Sequence, residues 1–257
     1  MRAKITFIAA LASLLSAPAF AQAPPPVILN ANGSLSADAS SWLAGGQAGY
    51  NWQADSFVYG LEADFSGMNL KSEKGGPLNG PAGADLAAKT DWYGSVRARL
   101  GWAAGPWLFY GTGGLAYGEV DLSSRFDTVF PIVGVVVPGS LNAETSPLRA
   151  GWVASGGIEY LLRPNLTLGV GYQYVDLGSV SLASSTSFTS FPGTVQMAQS
   201  ARVHAAFHIV AAGLNWHFSP TNSGGLWEGF YVGGHAGGAW GNSARSDYFS
   251  SCTGCVF

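Results

Sequence analysis

The feature that most constrains the fold of this chain is a series of eight segments in which apolar and polar side chains alternate. The connections between these segments alternate strictly between very short and long. The segments are 41–53, 57–71, 89–103, 107–122, 148–162, 166–180, 202–218 and 226–241. Three connections are very short: 54–56, 104–106 and 163–165. They alternate with three long, polar ones that contain Gly and Ser: 72–88, 123–147 and 181–201. Each segment is long enough to cross a bilayer as a tilted strand, which takes about 9–11 residues. Strict sorting of short and long connections is typical of an up-and-down transmembrane β-barrel with tight inner turns and longer outer loops, and a soluble sandwich gives no reason for it.

The first 21 residues have the features of a secretory signal peptide. Arg2 and Lys4 precede an apolar stretch over 5–15, and a small-x-small site at 19–21 predicts cleavage before Gln22. No later run of about 18 uncharged apolar residues predicts a transmembrane helix. The signal carries two of the 12 Lys and Arg residues, so the exported chain has 10 against 15 acidic residues and a formal charge of −5. This charge argues against nucleic acid as a partner.

The charged side chains of the strands are predicted to line the barrel interior. Period-2 alternation places Glu62 and Asp64 on one face of 57–71, and Arg97 and Arg99 on one face of 89–103, each opposite an apolar face. An Arg on the lipid face near the midplane costs about 2–4 kcal/mol, so these faces, and Glu159, are expected to point inward. An eight-stranded barrel is only just wide enough for its own side chains. Interior ion pairing is therefore expected, with a proton or ion path as the alternative.

Catalytic or metal chemistry finds little support in the sequence. His204 and His208 are four apart, which on a strand places them about 13 Å from each other, too far to share a metal with or without His235. A barrel hydrolase needs a Ser–His–acid set at the lipid–water rim. His204 lies near Ser200 in the sequence, but no spacing singles out a nucleophile. We therefore expect no metal, no cofactor and no enzymatic activity.

Two shorter features stand outside the strand pattern. Cys252 and Cys255 form a lone CxxC near the C-terminus, and in an oxidising compartment they are expected to form a small disulfide or to remain free thiols. The apolar stretch 129–137 lies in a connection that should be exposed. It is interpreted either as a partner surface or as a lid over the barrel mouth.

The domain boundaries follow from these assignments. The chain is divided into a signal peptide (1–21), a flexible Pro- and Ser-rich arm (22–40), the barrel (41–241) and a C-terminal loop segment (242–257). Alternating Leu214, Trp216 and Phe218 have the pattern of a last barrel strand, yet another strand candidate follows. We expect 226–241 to close the barrel against 202–218.

Several of these segments resemble one known family. DWYGSVRARLGW (91–102), WLFYGTGGLAYGEV (107–120), GWVASGGIEYLL (151–162), YQYVDLGS (172–179) and GLNWHF (213–218) are similar to the small opacity-type outer-membrane β-barrel proteins and surface antigens of Gram-negative bacteria. The resemblance implies an all-β, eight-stranded antiparallel up-and-down transmembrane barrel in the outer membrane, with exposed loops. Members are variously described as porin-like, envelope-stabilising, adhesin-like or haem-binding, so the fold by itself decides little about function.

The order of the strands departs from the family pattern. In the family, the motif that stands here as WEGFYVGG (227–234) opens the barrel, whereas in this chain it comes last. A circular permutation, with strand order 2–8 then 1, would explain this; a tandem array whose second barrel is missing is the alternative. An open seven-stranded sheet would leave bare edges in lipid, which favours closure by the last strand.

The expected function is that of a non-enzymatic outer-membrane barrel that contributes to envelope integrity and presents surface loops. Its partners would be outer-membrane lipid and a surface ligand or host partner of the outer loops. The alternative is a narrow gated pore for small solutes. A lipid-modifying barrel enzyme is the third hypothesis.

Overall fold

The computed structural model describes residues 31–78, 82–132, 135–190, 193–218 and 225–253. These residues form ten strands: β1 (Ala31–Ala54), β2 (Phe57–Pro77), β3 (Ala82–Ala104), β4 (Trp107–Glu119), β5 (Asp121–Ile132), β6 (Val135–Thr145), β7 (Leu148–Arg163), β8 (Leu166–Ser190), β9 (Gly193–Phe218) and β10 (Gly229–Thr253). In this part of the chain, no helix is long and apolar enough to cross a membrane.

Eight of the strands form a closed antiparallel ring. The order around the ring is β1–β2–β3–β4–β7–β8–β9–β10, and β10 returns to β1. Phe230 of β10 is opposite Phe218 of β9, and Gly229 is opposite Asn51 of β1. The all-β eight-stranded fold is therefore confirmed, with the C-terminal strand as the closing one. A closed ring has the same neighbours whatever the origin of its strand order, so the circular permutation stays a prediction.

One end of the ring has tight turns. Two-residue turns join β1 to β2, β3 to β4 and β7 to β8 at 55–56, 105–106 and 164–165. Asp55 and Gly105 adopt positive φ values of 53° and 60°, the left-handed backbone that tight hairpins require. These turns lie where the sequence predicts the short connections.

At the other end of the ring, strands continue through segments that the sequence predicts to be loops. β8 and β9 extend through most of 181–201, with Leu182, Val195 and Met197 buried on the inward face. Polar, Ser-rich composition suggests a loop, yet apolar residues recur at inward positions of both strands, so the alternation of a strand persists. The connection 123–147 likewise contains the β5–β6 hairpin, which pairs with the outer end of β3.

Both ends of the chain also contain more strand than the sequence suggests. Residues 31–40 belong to β1, where they pair with β10, instead of to a flexible arm. Residues 242–253 belong to β10 instead of to a loop segment. The signal peptide and 22–30 lie outside the described residues. The predicted boundaries of 41 and 241 are therefore too narrow, because pairing between the two chain ends lengthens both strands.

The outside of the ring is apolar along the middle of the eight strands. Val96, Leu100 and Leu115 are 53%, 70% and 71% exposed. Aromatic residues stand at both ends of this belt, among them Trp52, Trp102, Trp107, Trp216, Trp152 and Trp240. A belt of exposed apolar side chains between aromatic girdles is the surface that a transmembrane barrel presents to lipid.

Candidate functional site

Five charged side chains from three strands meet in the middle of the barrel interior. They are Glu62, Asp64, Arg97, Arg99 and Glu159, and each is at most 5% exposed. Arg97 Nη2 lies 2.5 Å from Glu62 Oε1 and 3.3 Å from Asp64 Oδ1. Arg99 Nη1 lies 3.2 Å from Glu62 Oε2, and its Nη2 lies 2.6 Å from Glu159 Oε1. We call these five residues the lumen charge network.

The register of the strands explains why the network assembles. Glu62 is directly opposite Arg97, and Asp64 is opposite Ser95, whose hydroxyl donates to the Asp64 carboxylate. Glu159 lies on β7, two strands away from β3, and reaches Arg99 across the interior. Buried charges are tolerated when they are paired and hydrogen-bonded, as they are here.

Two tyrosines complete the surroundings of Arg99. The Tyr231 hydroxyl donates to Glu62 Oε2 at 2.5 Å, and Arg99 Nη1 donates to the Tyr231 oxygen at 3.2 Å. The Arg99 guanidinium carbon also lies 4.0 Å from the centroid of the Tyr110 ring, a cation–π contact. The sequence reasoning missed both tyrosines, although the inward parity of their strands could have identified them.

A small polar cavity borders the network. It measures about 60 Å³, and its lining includes Gln47, Glu62, Asn215 and His235. Gln47 Nε2 donates to Asn215 Oδ1 at 2.6 Å, and Asn215 Nδ2 donates to Glu159 Oε1 at 3.4 Å. A buried water needs about 10–15 Å³ of such volume and a few polar partners. The cavity therefore suits a few waters and is far too small for a solute.

Trp227 closes the end of the barrel that carries the tight turns. Its side chain is fully buried and packs against Val58, Ala103 and Leu108. Its backbone N–H donates to Gln53 Oε1 at 2.9 Å. We call these four packed residues the lumen floor. The sequence places Trp227 in the strand candidate 226–241. The signal of its inward position is its parity with Tyr231, four residues on, because both side chains are buried on the inner face.

An apolar cluster fills the other half of the lumen. Val153, Val175, Phe207 and Ile209 are among its buried members. Tyr93 joins this cluster to the polar layer, because its ring lies 5.6 Å from that of Phe207 and its hydroxyl accepts a hydrogen bond from Gln173. Through the described residues, the interior is thus closed by the floor, the charge network and the apolar cluster in turn.

The outer rim brings together a serine, a histidine and an aspartate. Ser179 Oγ lies 3.2 Å from His204 Nδ1, and Asp176 Oδ2 lies 3.7 Å from His204 Nε2. The second distance exceeds that of a hydrogen bond. The amide of Gly178 donates to Asp176 Oδ1, so it is not available to stabilise an oxyanion formed by attack of Ser179 on a substrate. The sequence could not single out Ser179, because a β-bulge between Asp176 and Ser179 sets its direction.

The remaining sequence candidates are scattered. His208 contacts the Tyr172 hydroxyl on the outside, whereas His235 contacts Ser66 inside. In the described part of the chain, no three His, Cys, Asp or Glu side chains group as metal ligands. Cys255 lies outside the described residues and the Cys252 side chain is not described, so the disulfide stays a prediction. In the stretch 129–137, residues 129–132 end β5 and residues 135–137 begin β6, but the side chains of 130–137 lie outside the description. The role of this stretch as lid or partner surface therefore also stays a prediction.

A closed antiparallel ring with an apolar outside, aromatic girdles and an interior filled by its own side chains defines a small transmembrane β-barrel. Comparison with known families agrees: the profile of the outer membrane protein beta-barrel domain matches residues 7–218. The chain belongs to this outer-membrane β-barrel family. The match ends at Phe218, so β10 lies beyond it.

Curated relatives are outer-membrane proteins. The 31 kDa outer-membrane immunogenic protein of Brucella melitensis biotype 1 is 37% identical over 190 residues, which cover 73% of this chain and 70% of that protein. The 22 kDa outer membrane protein of Rhizobium leguminosarum bv. viciae is 34% identical over 57% of this chain and 59% of its own length. These relatives and the family place the chain in the bacterial outer membrane.

Among solved structures, the attachment invasion locus protein Ail of Yersinia pestis is similar to this chain. The similarity covers 80% of this chain and 97% of Ail, at 12% sequence identity and a TM-score of 0.24.

Proposed function

We propose that this protein is a non-enzymatic structural barrel of the outer membrane, which contributes to envelope integrity and presents its outer hairpins at the cell surface. The observation that carries the proposal is the closed interior. A buried network of two guanidiniums and three carboxylates, sealed below by Trp227 and above by an apolar cluster, stabilises a barrel and leaves no room for substrate. A surface ligand or host partner would meet the outer ends of β2–β3, β5–β6 and β8–β9.

Deletion of the gene tests the envelope role. Cells that lack the protein should admit more of a hydrophobic dye and tolerate less detergent, and the wild-type chain should restore both. A chain with Arg99→Met, which disrupts the lumen charge network, should restore them less well. Unchanged dye uptake in the deletion strain would contradict the envelope role.

Surface presentation is tested by epitope insertion. An epitope placed between Ser190 and Gly193, at the outer β8–β9 hairpin, should bind antibody on intact cells. The matched control places the same epitope in the β1–β2 turn after Asp55, where only permeabilised cells should bind. Labelling of the control on intact cells would contradict the proposed orientation of the barrel in the membrane.

The gated pore is the alternative function. It would require Glu62, Asp64, Arg97 and Arg99 to separate, since they occupy the middle of the lumen. Joint neutralisation of the four residues should then change single-channel conductance in planar bilayers. We expect no stable conductance from either form, because the lumen floor and the apolar cluster remain.

The lipid-modifying enzyme is the third hypothesis, and the contact between Ser179 and His204 is the observation in its favour. It predicts that a serine-reactive fluorophosphonate labels the purified protein and that Ser179→Ala abolishes the labelling. The long Asp176–His204 distance makes us expect no labelling of either form.

A further inference from the structure

The outer part of the barrel has an open seam between β6 and β8. In the closed ring, β8 pairs with β7 as far as Asp176. Beyond that point β5 continues the sheet on β3, and β6 lies beside the outer half of β8. Within the described residues, no backbone ladder joins β6 to β8. The wall of the outer part therefore ends in two free strand edges, one on each side of the seam.

Contacts across the outer lumen hold the hairpin β5–β6 in place beside this seam. The Phe126 ring of β5 stacks on the Tyr248 ring of β10, with the centroids 5.5 Å apart. Ser124 Oγ of β5 lies 3.1 Å from the Tyr248 hydroxyl and 3.3 Å from Gln199 Oε1 of β9. These side chains are buried, so the two sheets are packed together from inside. The two edges are thus held next to each other without pairing.

Arg149 of β7 marks the start of the free edge of β8. Its Nη2 donates to the backbone oxygen of Ser179 at 2.9 Å, so this carbonyl points away from β9. From Ser179 to Ser190, β8 pairs with β9 without a further register shift. Backbone groups of successive residues in such a strand point to alternate edges. Residues 181, 183 and 185 therefore direct their N–H and C=O groups into the seam, whereas 182 and 184 bond to β9.

The two edges of the seam differ in their protection. On β6, Pro138 has no N–H to donate, and Glu144 is charged and exposed. Proline and charged side chains are the usual means by which sheet edges avoid pairing with other chains. The free edge of β8, over 179–190, contains neither a proline nor a charged residue. It is therefore an unprotected template for another strand.

We propose that the free edge of β8 binds an extended, uncharged peptide segment of a partner protein as an additional antiparallel strand. The inference rests on the proposed surface presentation, because a partner reaches this edge only if the outer hairpins lie outside the cell. Main-chain hydrogen bonds to residues 181, 183 and 185 supply the affinity of such a strand, and its alternating side chains supply the specificity.

The side chains along the edge decide which segment fits. Val180 and Leu182 are buried on the inward face, whereas the outward positions from 181 to 189 are Ser, Ala, Ser, Ser and Thr. Side chains of paired strands lie side by side on each face. An added strand therefore places apolar side chains inward and small or hydroxyl-bearing ones outward. The segment 193–201 of β9 (GTVQMAQSA), which occupies the opposite edge of β8, is uncharged and has buried Val195 and Met197 on its inward face.

A second copy of this chain fits the edge less well than a partner segment does. Copies in one membrane have the same orientation, so two β8 edges that met would run parallel. Parallel pairing is slightly less stable per residue than antiparallel pairing. A free segment of another protein can take the antiparallel direction.

Proline substitutions on the two edges provide a matched test. The full exported chain is refolded in detergent and titrated against a fluorescein-labelled peptide with the sequence of 193–201, and binding is read by fluorescence anisotropy. Ser185→Pro removes a seam-facing N–H without removing a bond to β9, and should weaken binding about tenfold. Ser140→Pro makes the same change on β6 and should bind like the wild type. Retained compactness in cold detergent shows that each variant is folded.

Hydrogen exchange, read residue by residue by NMR in micelles, locates the bound peptide. With the peptide at about ten times its Kd, the amide hydrogens of 181, 183 and 185 should exchange about tenfold more slowly. Those of 182 and 184 should exchange slowly with and without the peptide, because they are bonded to β9. A peptide of the same composition whose apolar residues are contiguous should protect neither set.

The outcomes separate the edge site from the proposed function. Equal weakening by the two proline variants, protection confined to β6, or no binding to the purified protein would overturn the edge site. Dimers of the purified chain that Ser185→Pro abolishes would also overturn it, with a second copy as the occupant. Binding to the purified protein together with no binding to intact cells would contradict surface presentation alone.

Discussion

Glu62 and Arg97 are directly opposite each other on β2 and β3, and Arg97 Nη2 lies 2.5 Å from Glu62 Oε1. This pair is therefore a nearest-neighbour pair of two consecutive strands. Arg99, one inward position along β3, is opposite Gly60, and it bonds both to Glu62 and to Glu159 of β7. The network thus joins one contact between neighbouring strands to one that spans the intervening strand β4.

Removal of Arg99 should destabilise the barrel strongly. Arg99→Met leaves Glu62 and Glu159 buried without their shared cation, which costs about 3–5 kcal/mol of unfolding free energy. The measurement is a denaturant titration of the refolded protein in detergent. Arg125→Met, which breaks an exposed ion pair, should cost less than about 1 kcal/mol. The companion change Glu159→Gln should recover part of the loss; equal effects of Arg99→Met and Arg125→Met would contradict the role of the network.

Truncation of the floor side chain should weaken the barrel without opening it. Trp227→Ala removes a fully buried ring and should lower the unfolding free energy by about 3–5 kcal/mol. Trp216→Ala, on the lipid side, should cost less because no cavity forms. Planar-bilayer recordings of Trp227→Ala should show no stable conductance, since the charge network and apolar cluster still fill the lumen. Steady channels in this single variant would show that Trp227 is the only barrier.

A charge scan should locate the outer edge of the membrane. Val96 and Phe249 are both outward and similarly exposed, at 53% and 44%. Val96→Arg, in the lipid belt, should cost about 2–4 kcal/mol in a bilayer. Phe249→Arg, on the outer extension of β10, should change the unfolding free energy by no more than about 0.5 kcal/mol. Equal costs would mean that the lipid belt extends beyond Trp240 along β10.

Deletion of the closing strand should abolish barrel formation. A chain of residues 22–218 lacks β10 and would leave bare edges on β9 and β1, so it should not become resistant to cold detergent. The full exported chain, 22–257, should migrate as a compact form until it is boiled. The readout is a heat-modifiability gel on both refolded chains. If 22–218 shifts equally well, β1 and β9 pair without β10.

The sequence by itself determined the strands and their inner and outer faces. Period-2 alternation is a local property, so it placed Glu62, Asp64, Arg97, Arg99 and Glu159 inside, and the short turns fixed which strands are neighbours. The same alternation continues through 181–201, where polar composition misled the interpretation toward a loop.

Only the tertiary structure decided the contacts that depend on closure of the ring. Tyr231 reaches Glu62 because β10 pairs with β1, and Trp227 fills the floor because the turn before β10 crosses the barrel end. Arg202 faces Arg245, and Ser179 meets His204, through registers that β-bulges shift by one residue. Alternation fixes only whether a side chain points inward or outward. Register and closure fix which side chains meet, and they are set by packing over the whole ring.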